Sequence, residues 1–253
     1  MAFSDYRMAL VTGASSGIGA TAVRRLCAEG LTVHAVARNA ARLAELAAET
    51  GCEPHALDVC DSFAVERLVK SIDVDILVNN AGQSRRGTIL ETTPGDVDTL
   101  VDINLRAVLH LTRLIVPGMG ERNRGHVVNI SSIAGLYAFG ENETTFNSSI
   151  AYHATKAGIH LLSQQLRVDL LGKNVRVTEI APGRVATNVF AHAKVAPDDS
   201  ARLTTSFETL QPSDIADLLI FAIKAPERMN VATLEVTPTC QVVGGLQFAR
   251  RAV

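Results

Sequence analysis

Met8-Ala-Leu-Val-Thr-Gly-Ala-Ser-Ser-Gly-Ile-Gly19 changes character partway along. Its first four residues are apolar and suit a buried strand, and Thr12–Gly19 is too rich in Gly and Ser to continue one. Residues 20–29 then return to helical spacing, so the stretch reads as strand, tight turn, helix. The same unit recurs outward from it. Strands are expected at 31–37, 55–57, 75–78, 126–130, 175–180 and 233–236, and helices at 40–49, 62–71, 94–101, 105–118, 151–171 and 212–224. That alternation predicts an α/β fold, a doubly wound parallel β-sheet with helices on both faces and right-handed crossovers. No Pro/Gly/Ser-rich linker and no internal repeat interrupts it, so 1–253 is expected to form a single Rossmann-like domain.

The bulk numbers exclude several other classes. With 253 residues, 24 Lys+Arg against 26 Asp+Glu and a formal charge of −2, the chain has no field for gripping nucleic acid. No apolar run approaches the ~18 residues of a membrane-spanning helix. The opening carries Asp5 and Arg7 where a secretion signal is apolar, so a cytoplasmic protein is expected. Cys27, Cys52, Cys60 and Cys240 lack CxxC or metal-ligand spacing, and the seven His do not cluster, so the expectation is reduced thiols and no metal. Asn142-Glu-Thr and Asn147-Ser-Ser are read as chance sequons.

Gly13, Gly17 and Gly19 form a GxxxGxG turn at the first strand-to-helix junction, a shifted relative of the dinucleotide fingerprint. Glycines there let backbone N–H groups and a helix start approach a pyrophosphate. An acid at the end of the second strand would bind a free 2′-hydroxyl; instead Ala37 stands there, followed by Arg38 and, one turn on, Arg42. A guanidinium suits a 2′-phosphate, which predicts NADP(H). Tyr152-His-Ala-Thr-Lys156 places a phenol and an ammonium on one helix face. The lysine charge is expected to lower the phenol's pKa and make Tyr152 a better proton relay.

Other motifs stand in order around these. Asp58-Val59 follows the third strand, Asn79-Asn-Ala-Gly82 the fourth, Asn104 lies in Asp102-Ile-Asn-Leu, Ser131-Ser132 end the fifth strand, and Pro182-Gly183 the sixth. From about residue 8 to 236 the sequence resembles the short-chain dehydrogenase/reductase family in its compact form. The resemblance implies that Gly13, Ser15, Ser16, Gly17, Ile18 and Gly19 cradle the cofactor phosphates. Asp58 and Val59 would flank adenine, and Asn79, Asn80, Ala81 and Gly82 would brace the ribose and the central strand. Tyr152 would be general acid or base, Ser132 a donor to the carbonyl oxygen, and Lys156 the holder of the nicotinamide ribose. Asn104 would anchor a water linking Lys156 to solvent, and Pro182, Gly183, Val185 and Thr187 would position the nicotinamide. Assembly through the two long central helices, as a homodimer or homotetramer, is implied in the same way.

A narrower likeness lies in Pro117-Gly-Met, Glu121-Arg-Asn-Arg-Gly-His126 and Asn230-Val-Ala-Thr-Leu-Glu-Val-Thr-Pro238 with Gln241. It points to a bacterial subgroup of NADP-dependent 3-hydroxy-acid dehydrogenases and sulfoacetaldehyde reductases, whose small anionic substrates would want a nearby cation. Arg85, Arg86 and Arg184 are the candidates. Ser132 and Tyr152 are 20 residues apart, where relatives have about a dozen, so 136–150 is read as an extended active-site loop and 188–210 as a substrate lid. The expected activity is carbonyl/alcohol interconversion. A non-catalytic dinucleotide sensor, an NAD-preferring alcohol dehydrogenase, or an epimerase or dehydratase remain the alternatives; the intact Tyr152 and Lys156 speak against the sensor.

Overall fold

The strand at the head of the chain, β1 (Met8–Thr12), sends alternate side chains to two different layers. Ala9 and Val11 enter one apolar cluster, and Leu10 enters another on the opposite face. A computed structural model describes residues 3–85, 87–138, 149–187 and 208–241. Within them the strands are β1, β2 (Thr32–Ala37), β3 (Glu53–Ala56), β4 (Ile76–Asn79), β5 (Gly125–Ile130), β6 (Val175–Pro182) and β7 (Thr233–Val236). All pair in parallel in the order β3-β2-β1-β4-β5-β6-β7. β4, β5 and β6 are buried along their length, as strands covered on both faces must be, whereas the edge strands β3 and β7 stay largely exposed. Pro54, which cannot donate to a ladder, sits in an edge strand.

One layer holds α1 (Gly17–Ala28), α2 (Ala40–Thr50) and α7 (Pro212–Lys224), through Leu26, Leu43, Ile215 and Leu219. The other holds α3 (Ser62–Val69), α4 (Pro94–Val101), α5 (Ala107–Glu121) and α6 (Ile150–Asp169), with Val65, Leu111 and Ile115 in its core. The expected fold class and all seven strands are therefore present, most with ends moved by a residue or two. Helix ends follow local chemistry. Asn39, Asp61 and Thr93 cap α2, α3 and α4 with side-chain oxygens, and Gly51 closes α2 in the left-handed region.

One difference matters for the site. The helices expected at 94–101 and 105–118 are joined, because Asp102–Arg106 winds as a π-helical turn between α4 and α5. The chain order reverses between β1 and β4, so the ligand crevice of such a sheet opens at their carboxyl ends. Of the two loops expected to be functional, residues 139–148 and 188–207 lie outside the described residues, as does Arg86.

Candidate active site

The crevice floor is built from β1 and β4 together. Thr12 Oγ1 accepts the backbone N–H groups of Asn80 and Ala81, both at 3.0 Å, and donates to the Val78 carbonyl at 3.3 Å. Asn80 Nδ2 returns a bond to the Thr12 carbonyl at 2.9 Å. Gly13 has φ +67°, and a Cβ there would come within 2.9 Å of the Ala81 backbone. At Gly19 a Cβ would overlap the Gly13 carbonyl and the Asn80 amide. The turn is thus sealed against β4 with no room for side chains. Its open side presents Ser15, Ser16 and the first N–H groups of α1; Ser16 is the N-cap and makes no capping bond of its own. Half-buried Gly17 and Ile18 complete the lip. A dinucleotide pyrophosphate fits a cradle of this construction.

At the β2–β3 end of the crevice, Arg38 leaves β2 and Asp58 follows β3. Arg38 Nη1 lies 3.7 Å from Asp58 Oδ2, and its side chain is 60% exposed, free to swing onto a ligand. Asp58 Oδ1 accepts the Cys60 N–H at 2.9 Å, which fixes the turn, while Val59 is buried in the core beneath it. Arg42 is exposed on α2.

The chemistry-bearing side chains meet at the ends of β5 and α6. Ser132 caps the short turn Ile133–Gly135, its Oγ accepting the Ala134 N–H at 3.1 Å, which leaves the hydroxyl hydrogen to donate. That turn lies against α6 so closely that a Cβ on Gly135 would come within 2.6 Å of the Lys156 carbonyl. Tyr152 is half-buried in the first turn of α6, with Ser132 as its hydrogen-bonding neighbour. Lys156 is buried; its Nζ donates to the Ile130 carbonyl at 2.9 Å and stands 5.7 Å from the Tyr152 ring centre.

Electrostatics here depart from the sequence expectation. Burial pushes the Tyr152 phenol up, and the Ser132 hydroxyl only partly offsets it. Burial also pulls Lys156 down to about 8, against Glu179. Desolvation, not the lysine charge, is the larger influence on the phenol. Asn104 occupies the π-helical turn and is fully enclosed. Its Nδ2 donates to the Gln83 carbonyl at 2.9 Å and Thr155 Oγ1 at 3.2 Å, and its Oδ1 accepts the Gln83 N–H at 2.9 Å. Its amide is therefore a brace between the β4 loop and α6. Gly82 is needed beside it, since a Cβ would come within 3.1 Å of Oδ1 and 3.8 Å of Lys156 Nζ. Asn79 braces the central strand, its Nδ2 donating to Asn129 Oδ1 at 2.9 Å.

The segment after β6 closes the other wall. Gly183 N–H donates to Val236 at 2.7 Å, and Arg184 N–H to Gln241 Oε1 at 2.9 Å. Val185 is buried and bridges Leu210, and Thr187 reaches the Gly17 turn, 3.2 Å from where a Cβ would stand. Pro182, buried at the end of β6, starts this wall. Arg85 lies 3.8 Å from Asp96, and the Ser149 hydroxyl bonds the Arg85 carbonyl. Thr12, Gln83 and Thr155 were not singled out from the sequence; only the place of Thr12, directly before the glycine turn, was a usable signal. Among the described residues no group of three His, Cys, Asp or Glu could hold a metal ion.

A family model described as short chain dehydrogenase matches residues 7–197. The chain belongs to that family. A short-chain type dehydrogenase/reductase of Sinorhizobium fredii is 41% identical, over 97% of this chain and 96% of its own. The NADP-dependent 3-hydroxy acid dehydrogenase YdfG of Escherichia coli is 35% identical, over 96% and 99%. The closed form of a serine dehydrogenase complexed with NADP+ superposes with a TM-score of 0.87 at 34% identity, over 96% of this chain and all of that one. As a short-chain dehydrogenase the chain is an oxidoreductase.

Proposed function

We propose that this chain is an NADP(H)-dependent oxidoreductase that interconverts a ketone or aldehyde and the corresponding alcohol, with small 3-hydroxy acids or similar anions as its substrate class. The observation that carries the reading is the Ser132 and Tyr152 hydroxyls set beside a buried Lys156, at the far end of a glycine-sealed crevice. When bound, the nicotinamide would supply the hydride that the carbonyl carbon takes up. Tyr152 gives its phenolic proton to the oxygen that becomes negative, and takes one back in the alcohol-oxidising direction. Ser132 donates a second hydrogen bond to that oxygen. Both bonds strengthen as charge builds, so they favour the transition state over the substrate.

Lys156 holds the nicotinamide ribose, and its charge stabilises the phenolate left when Tyr152 has given up its proton. Asn104 keeps Thr155, and with it this turn of α6, in register. Ser15, Ser16, Gly17, Ile18 and Gly19 hold the pyrophosphate; Arg38 swings from Asp58 to a 2′-phosphate, and Asp58 and Val59 border adenine. Asn80, Ala81 and Gly82 line the ribose, and Pro182, Gly183, Val185 and Thr187 orient the nicotinamide. Arg85 and Arg184 read the substrate's anionic end. Support for NADP(H) and for the substrate class comes from the named relatives.

A single sheet among the described residues supports reading 1–253 as one domain. Four free cysteines support a reducing, cytoplasmic setting, and no helix among the described residues is long and apolar enough to cross a membrane. Exposed Leu109 on α5 and Leu161 and Val168 on α6 support a homodimer or homotetramer built on those helices. The deciding experiment is a panel of carbonyl compounds and alcohols followed by NADPH absorbance. Turnover concentrated on short 3-oxo and 3-hydroxy acids is expected; a panel without any turnover would overturn the reading.

A further inference from the structure

Along the sheet face beneath α6, apolar Leu77, Val127 and Val177 give way two residues later to Asn79, Asn129 and Glu179. Asn79 Nδ2 donates to Asn129 Oδ1 and Asn129 Nδ2 to Ser163 Oγ of α6, both at 2.9 Å, while Asn79 Oδ1 has no partner among the described residues. Glu179 brings a carboxylate into the same layer. It is 0% exposed, its Oε2 lies 2.7 Å from His160 Nδ1, and its Oε1 has no hydrogen-bond partner. Gln164 Nε2 faces His160 Nε2 at 2.7 Å, so that ring nitrogen accepts. Nδ1 then carries the hydrogen given to Glu179 Oε2. That bond orients the carboxylate.

His160 is four residues after Lys156 and shares its helix face. Lys156 Nζ is bonded to Ile130, the residue after Asn129, which is Glu179's partner in the β5–β6 ladder. The other groups around Glu179 are accounted for. Arg167, farther along α6, donates to the Val177 and Ala232 carbonyls at 3.2 and 3.0 Å. Asn129 and Thr233 flank it on β5 and β7, and Glu235, two residues beyond Thr233, is bonded by Tyr137. Its field therefore acts on Lys156 and Arg167.

We propose that Glu179, oriented by His160, is a positioning residue that supplies the buried countercharge of Lys156 and so holds the ammonium in place beside Tyr152. An ammonium out of water, held by the Ile130 carbonyl, is costly to keep charged, and a carboxylate on the next strand lowers that cost. The inference rests on the reading that Lys156 assists Tyr152.

The test is a titration of Lys156 in the cofactor-free protein by 13C NMR of labelled lysine, the signal assigned by its loss in Lys156→Met. The wild-type midpoint is expected near 8. Glu179→Gln, nearly isosteric, is expected to lower it by about one pH unit. Carbonyl reduction should then fall about fivefold at pH 8 and little at pH 6, whereas a merely structural defect would lower the rate alike at both. If Glu179→Gln does not fold, His160→Arg decides, since a permanent cation on Glu179 cancels its field and should move the midpoint the same way. A midpoint unmoved in the folded variant overturns the proposal. A midpoint that moves in a protein reducing no carbonyl compound would instead overturn the functional reading and leave the Glu179–Lys156 coupling standing.

Discussion

Asn104→Ala removes three hydrogen bonds at once, in a place where water cannot replace them. The wild-type amide is 1% exposed and binds the Gln83 carbonyl, the Gln83 N–H and Thr155 Oγ1 at 2.9, 2.9 and 3.2 Å. At about 1 kcal/mol for each bond, and with both backbone groups of Gln83 left without partners, the loss comes to about 3–4 kcal/mol. For a chain of this length that lowers the melting temperature by roughly 10 °C. The same bonds hold the π-helical turn against α6, so turnover should fall along with stability, Thr155 lying between Tyr152 and Lys156. Thermal unfolding by circular dichroism, urea titration and NADPH-linked turnover read both effects. A melting temperature within about 2 °C of wild type, with unchanged turnover, would show that the amide is dispensable and that the brace is wrongly assigned.

Tyr152→Phe should lower turnover by about 10²–10⁴-fold while NADPH still binds by fluorescence titration; normal turnover would remove the phenol from the proton path. Arg38→Ala should weaken NADPH far more than NADH in the same titration, and equal losses would remove the 2′-phosphate contact. Acid should destabilise the fold through His126, which is completely enclosed and held by burial well below its ordinary value of 6.5. The native ring stays neutral while the unfolded chain takes up a proton below about 6.5, so stability falls as pH drops through that value. The expected loss at pH 5 is roughly 1–2 kcal/mol, seen as a falling melting temperature; a flat profile from pH 7.5 to 5 would refute it.

The sheet was legible because strand and helix periods are local properties of the chain. Residues 8–11, and Val127 and Val128 in β5, are apolar because both faces of those strands are covered. Tyr152 and Lys156 were legible for a similar reason, one helical turn fixing their common face. What the sequence hid depends on pairings far apart along the chain. Thr12 matters because β4 lies beside β1, and Glu179 because α6 crosses β6. Asn79 was assigned with its neighbour Asn80, yet strand alternation turns the two to opposite sides. The π-helical turn was invisible because it needs Gln83 and Thr155 to receive Asn104.

The contact of Gly135 with the Lys156 carbonyl links two hydroxyls that arise twenty residues apart in the chain. With main chain resting on main chain there, the Ser132 turn and the head of α6 form a single hard jaw whose span cannot be adjusted by exchanging side chains. Any side chain at Gly135 would accordingly have to pry the jaw apart, and an engineer seeking altered preference would leave that glycine untouched.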